Sequence, residues 1–165
     1  MLREMLIGAA AGAAGTTALN AVTYGDMLVR GRPASSTPSE AAARLADKAG
    51  IDLSARGEAP DGPTAQNRRS GLGALLGFFP GLGVGVAYGL LRPHLGRVST
   101  PRAGVALGLA ATLASDGPLV ALGVTDPREW DLDSWLSDLG PHLVYGLATA
   151  AAYEAFLRGR SGRRP

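Results

Sequence analysis

The chain of 165 residues contains no cysteine, a single lysine (Lys48) and only two histidines, His94 and His142. Without cysteine there are no disulfides and no thiolate-bound zinc or iron–sulfur site. Two histidines leave too few imidazoles for a histidine-built metal centre, so no metal is expected. Aromatic residues make up 5% of the chain and the formal net charge is +2. Basic residues flank apolar stretches instead of forming a stripe interleaved with aromatics, which argues against a nucleic-acid surface. Catalytic signatures are missing too. Gly81-Leu82-Gly83-Val84-Gly85 has neither a strand before it nor an acidic partner after it, so it is not a dinucleotide loop. No Walker A, HExxH or GxSxG pattern occurs, and neither an enzyme nor a cofactor is expected.

What the chain does have is small and apolar. Hydrophobic residues are 46% of it, and there are 24 glycines. A mean hydropathy of only +0.11 hides a division, because residues 30–70 hold four of the eleven prolines and many of the charges. Four other stretches, 5–29, 71–91, 103–125 and 139–157, carry few charges and are about as long as a bilayer-crossing helix requires. The opening MLREMLIGAAAGAAG has features of a signal peptide, but the apolar run continues to Val29, so it reads as the first crossing. The fold expected is an all-α transmembrane bundle of four helices in a single domain, 1–165. The Ala/Gly content makes each span only modestly apolar, which keeps a soluble helical bundle as the alternative.

The connections fit that plan. Thr37-Pro38-Ser39-Glu40 reads as a helix start, with Thr37 as cap and Glu40 closing a capping box. This helix should end near Ala49 before Gly50 and lie on the membrane or bundle through Ala41, Ala42, Leu45, Ala46 and Ala49. Residues 52–67 read as a flexible linker. Asp126-Pro127-Arg128-Glu129 opens the last connection with another capping pattern. Trp130 and Trp135, the only tryptophans, are expected as interfacial anchors. The alternative is that they cover a soluble core. Basic residues divide eight to each side of the four spans, so charge alone does not orient the protein. The density of arginine in the tail favours cytoplasmic termini.

Gly73, Gly77, Gly81, Gly85 and Gly89 recur at every fourth position of the second span. In lipid, helices gain from close backbone approach, which small residues permit. This stripe is therefore a contact face, used either for self-association with another copy or partner, or for packing within one subunit. Pro80 should bend the span. The first and third spans share a ladder, Gly8, Gly12, Thr16, Asn20 against Gly104, Gly108, Thr112, Asp116. The second and fourth match as PGLGVGVAYG against PHLVYGLATA, which suggests a parallel internal repeat of two helices.

Asp116 lies near the middle of its span, where an aspartate costs about 2.5–3.5 kcal/mol on insertion scales. Three readings are open. Asp116-Gly117-Pro118 forms a local break, with Asp116 capping a half-helix; or Asp116 joins Asn20, His142, Thr16, Thr112 and Ser115 in a structural polar cluster; or that cluster serves a small transporter or channel. No ion or small-molecule substrate is identified by the residues. Asp26 and Glu154 sit near span ends, and Glu154 is placed to pair with Arg158.

The second half, about residues 70–160, resembles the YagU-like family of bacterial inner-membrane proteins. The resemblance rests on the glycine-rich third span, the exit Gly123-Val124-Thr125-Asp126-Pro127, the tryptophan-bearing segment, the helix start Gly140-Pro141-His142-Leu143-Val144-Tyr145, and Glu154 with Arg158. Here a proline intrudes before His142 and tyrosine stands at the aromatic position. The resemblance implies a multi-span protein of the bacterial inner membrane with a cytoplasmic C-terminus. It brings no chemistry with it. The function expected is therefore that of a non-enzymatic membrane protein working through helix packing, with itself or with a membrane partner.

Overall fold

A computed structural model describes residues 1–161, and the only regular secondary structure among them is helical, with no strand. Five α-helices are present: α1 (Leu2–Arg30), α2 (Thr37–Lys48), α3 (Pro63–Leu91), α4 (Thr100–Ala121) and α5 (Leu132–Ser161). Short 3-10 turns follow α3 (Arg92–His94) and precede α5 (Pro127–Glu129). Arg163 and Arg164, part of the arginine tail that favours cytoplasmic termini, lie outside the described residues.

Local chemistry sets the helix ends, and in several places it moves them from their expected positions. α1 stops at Gly31, whose φ of 64° suits glycine. Ser36 holds the cap position of α2, one residue before the expected Thr37, with its hydroxyl bonded to the Glu40 carboxylate and not to a backbone N–H, and Thr37 is the first helical residue. The segment expected to be a linker to residue 67 instead becomes helical at Pro63. Pro63 fits the first helical turn, where its missing N–H costs nothing. The glycine at the α3 cap position has no side chain, and Glu58 fills that role. Its carboxylate accepts from the N–H of Thr64 at 3.1 Å and from that of Ala55 at 3.1 Å. α4 ends at Ala121, four residues short of the expected 125, because Gly123 takes φ 68° and turns the chain. It also runs unbroken past Asp116-Gly117-Pro118, so there is no half-helix for Asp116 to cap. α3 is likewise continuous across Pro80, and α5 across Pro141.

The long helices pack in the order α3, α1, α5, α4, and α2 lies against α3. Residue pairing makes neighbours antiparallel: Gly8 and Gly12 of α1 meet Gly85 and Gly81 of α3, while Gly104 and Gly108 of α4 meet Leu147 and His142 of α5. These crossings are backbone on backbone. A Cβ on Gly12 would lie 2.6 Å from the Gly81 carbonyl oxygen, and one on Gly85 would lie 2.7 Å from Gly12 Cα. The same pairing recurs in the second half. A Cβ on Gly108 would lie 2.8 Å from the His142 carbonyl oxygen, and one on Gly146 would lie 2.8 Å from Gly108 Cα. Thr16 Oγ1 donates back to the Gly12 carbonyl at 2.9 Å, and Thr112 Oγ1 to that of Gly108 at 3.2 Å. The α1–α3 and α4–α5 pairs thus share a glycine crossing beside a threonine bonded back to its own helix.

The expected glycine face of α3 is divided by this arrangement. Gly81, Gly85 and Gly89 press on α1, and Gly73 meets the backbone of Pro38 in α2. Gly77 is exposed, with nothing within 4 Å of a built Cβ. The stripe is therefore largely consumed inside the chain. Two tyrosines of α5 add polar links to α3: Tyr145 Oη donates to the Gly81 carbonyl at 2.6 Å, and Tyr153 Oη to that of Gly89 at 3.3 Å. Tyr88 and Tyr153 meet edge to face with centroids 5.0 Å apart.

Among the described residues three helices are long and apolar enough to cross a membrane: α1, α3 with its following turn, and α4. Only 28%, 22% and 28% of their most apolar windows is buried within the chain, and what stays uncovered includes Leu6, Phe79 and Leu113. The fourth expected span, 139–157, lies within α5 but is not among these three. Its polar content follows from its position between α1 and α4. Tyr145, Thr149, Ala150 and Tyr153 are each at most 2% exposed, so neighbouring helices cover this face.

Candidate functional site

The polar residues gather at the end of the bundle that carries the 31–37 and 122–131 connections. There α1, α4 and α5 diverge around a crevice of about 540 Å³, bordered by the start of α2 and by Trp130. Its mouth is charged and internally neutralised. Arg30 bonds Asp26 at 3.1 Å, Ser137 at 2.8 Å and Asp133 at 3.5 Å, and Arg32 also pairs with Asp26. The mouth thus ties the exit of α1 to the first turns of α5. Asp131 accepts from the Ser134 N–H at 2.7 Å and caps α5, and hydrogen bonding by the Ser134 side chain and then its N–H holds the carboxyl below the ordinary aspartate range.

The floor is built by Ser115 and Asp116 of α4 with Asp138 and His142 of α5. His142 Nδ1 lies 2.8 Å from the carbonyl oxygen of Asp138 and 3.4 Å from its Oδ1. A carbonyl can only accept, so Nδ1 carries the hydrogen and the neutral ring presents a lone pair at Nε2. That nitrogen is 3.1 Å from Ser115 Oγ, which is in turn 3.3 Å from Asp116 Oδ1 and 3.1 Å from the Thr112 carbonyl oxygen. Asp138 Oδ2 is buried without a hydrogen-bond partner. The mouth arginines are already engaged, so Asp116 and Asp138 have no arginine or lysine partner here. No group of three or more His, Asp or Glu among the described residues is arranged to hold a metal ion.

The expected polar cluster is therefore brought together only in part. Asp116 and His142 share Ser115, and Thr112 lies one turn away, bonded to its own helix. Thr16 sits in the α1–α3 crossing, away from the floor. Leu19 and Thr23, not Asn20, represent this part of α1 in the crevice. Asp138 is the residue that reading the sequence missed. Its spacing of four from His142 on a helix was the available signal, but Asp138 lay just outside the apolar span and read as part of the connection. At the opposite end of the bundle Glu154 pairs with Arg92, at 2.8 Å and 3.1 Å, rather than with the expected Arg158. This ties the end of α3 to α5. Trp130 and Trp135 meet edge to face with centroids 5.0 Å apart, and Trp130 Nε1 donates to Thr125 Oγ1 at 2.8 Å.

Searches against family models, curated proteins and solved structures return no match to this chain.

Proposed function

We propose that the protein is a four-pass integral membrane protein of the bacterial inner membrane, non-catalytic, with both termini on the cytoplasmic side. One observation carries this reading. The apolar windows of α1, α3 and α4 are less than one-third buried within the chain, and lipid is the solvent that would cover the rest. α5 would cross with them, seated between α1 and α4. Four crossings return the chain to the side on which it began, in accord with the antiparallel order of neighbours. The likeness to the YagU-like family points the same way and rests on the residues quoted for it alone.

The work proposed for this assembly is structural: glycine crossings hold the helices at close range and keep a polar crevice open to one membrane face. Because most of the α3 glycines are covered by α1 and α2, assembly with another copy or a membrane partner would use the outer Leu, Val and Phe surfaces. Carbonate washing of membranes tests the proposal. The protein is expected to stay in the pellet and to need detergent for extraction. Recovery as a folded, detergent-free monomer in the supernatant would overturn the reading.

A further inference from the structure

Beyond a packing role, the crevice floor has a hydrogen-bond chain with a defined direction. Ser115 has one hydroxyl hydrogen and three acceptors within 3.3 Å: the Thr112 carbonyl oxygen, Asp116 Oδ1 and His142 Nε2. His142 cannot turn freely, because Nδ1–H is anchored on the Asp138 carbonyl oxygen. We propose that Asp116, Ser115 and His142 form a proton-sharing relay at the floor of the crevice, so that the ligand of this site is a proton taken from water in the crevice.

The relay has two arrangements with the same total charge. In one, Asp116 is protonated and donates to Ser115 Oγ, while Ser115 donates to the Nε2 lone pair of neutral His142. In the other, the Asp116 O–H bond has broken and that proton has joined Ser115 Oγ. The hydrogen that Ser115 held has formed the N–H bond on His142 Nε2. Asp116 is then a carboxylate accepting from Ser115, and His142 is an imidazolium whose Nδ1 side faces Asp138. Two hydrogens each make one short hop, the net transfer is one proton from Asp116 to His142, and no other reactant is needed. The charged groups that face this chain are Asp138 on α5 at the floor, and Arg30 on α1, Arg32 after it, Asp131 before α5 and Asp133 on α5 towards the mouth. The arginines are held by Asp26 and Asp133, so a proton is the positive charge available to the floor.

The test is nitrogen NMR of the imidazoles in the full chain in detergent micelles, with His94 as internal reference. In the wild type, neutral His142 is expected as the Nδ1–H form with a hydrogen bond at Nε2. An Nε2–H form would overturn the relay without any variant. The titration midpoint of His142 should fall by at least tenfold in proton affinity in Asp116→Asn, with His94 unmoved. In a Ser115→Ala background the same change should have less than half that effect. No shift in Asp116→Asn refutes the proposal. An equal shift with and without Ser115 also refutes it, since Asp116 would then act on His142 directly through space. The measurement needs no bilayer, so its failure would leave the four-pass reading standing.

Discussion

At the scale of single residues, the glycines separate into two kinds that composition does not distinguish. Gly85 lies on the backbone of Gly12 and Gly8, and even one methyl group forces α1 and α3 apart. Overpacking of this kind costs about 1–3 kcal/mol. Gly77 has open space around it, and Gly77→Ala should be neutral or stabilising by up to about 1 kcal/mol through helix propensity. Equilibrium unfolding in mixed micelles distinguishes the two. Equal effects of Gly77→Ala and Gly85→Ala would contradict the assignment of Gly85 to an intramolecular crossing. Tyr145 gives a second test at this scale. It is 1% exposed, and its hydroxyl links α5 to the Gly81 carbonyl. Tyr145→Phe keeps the ring and should cost about 0.5–1.5 kcal/mol in the same assay. A larger loss would mean that the hydroxyl orders more than this one bond.

For the helix α3, the question is what starts it. Gly62 at the cap position offers no oxygen, and Glu58 reaches the first turn from the preceding loop, bonding Thr64. The Thr64 N–H, the largest influence, stabilises the carboxylate, and the Glu58 pKa is lowered. A carboxyl with a depressed folded pKa contributes stability that is fully present above its unfolded value. That contribution is lost as pH falls through the folded value. Amide exchange of residues in the first turn of α3 should therefore accelerate on acidification below the ordinary glutamate range, with the centre of the helix unaffected. Glu58→Gln should show the faster exchange already at neutral pH and little further change on acidification. If acid speeds exchange equally in both proteins, Glu58 is not the cap.

For the whole molecule, the antiparallel order puts the 31–37 and 122–131 connections at one end and the 92–99 connection at the other. The absence of cysteine makes this directly testable, since any introduced thiol is the only one. In sealed vesicles, an impermeant maleimide should label Ser35→Cys and Glu129→Cys from one side and Arg97→Cys from the other. All three sites are exposed and lie in connections. Labelling of all three from the same side would rule out the four-pass arrangement. α1–α3 and α4–α5 use similar glycine and threonine contacts, yet only the second pair carries the Asp116–His142 floor. At the matching positions of the first pair stand Asn20 and Gly81.

Much of the architecture could be read from local pattern. Long apolar runs specify helices of crossing length, glycines four apart specify faces where backbones approach, and Pro and Gly near helix ends limit where helices begin and stop. These are properties of short stretches, so the residues contain them. Tertiary structure alone decided which surfaces meet. It assigned Gly81 and Gly85 to α1 and left Gly77 bare, because a stripe records only that something small is needed there. It placed Tyr145, Thr149 and Tyr153 of α5 among neighbouring helices, where burial and hydrogen bonding relax the demand for apolar residues. It also joined His142 of α5 to Ser115 of α4, and Glu154 to Arg92 across 62 positions. Hydrogen bonds across helices depend on rotation and depth, quantities that no single helix fixes for itself.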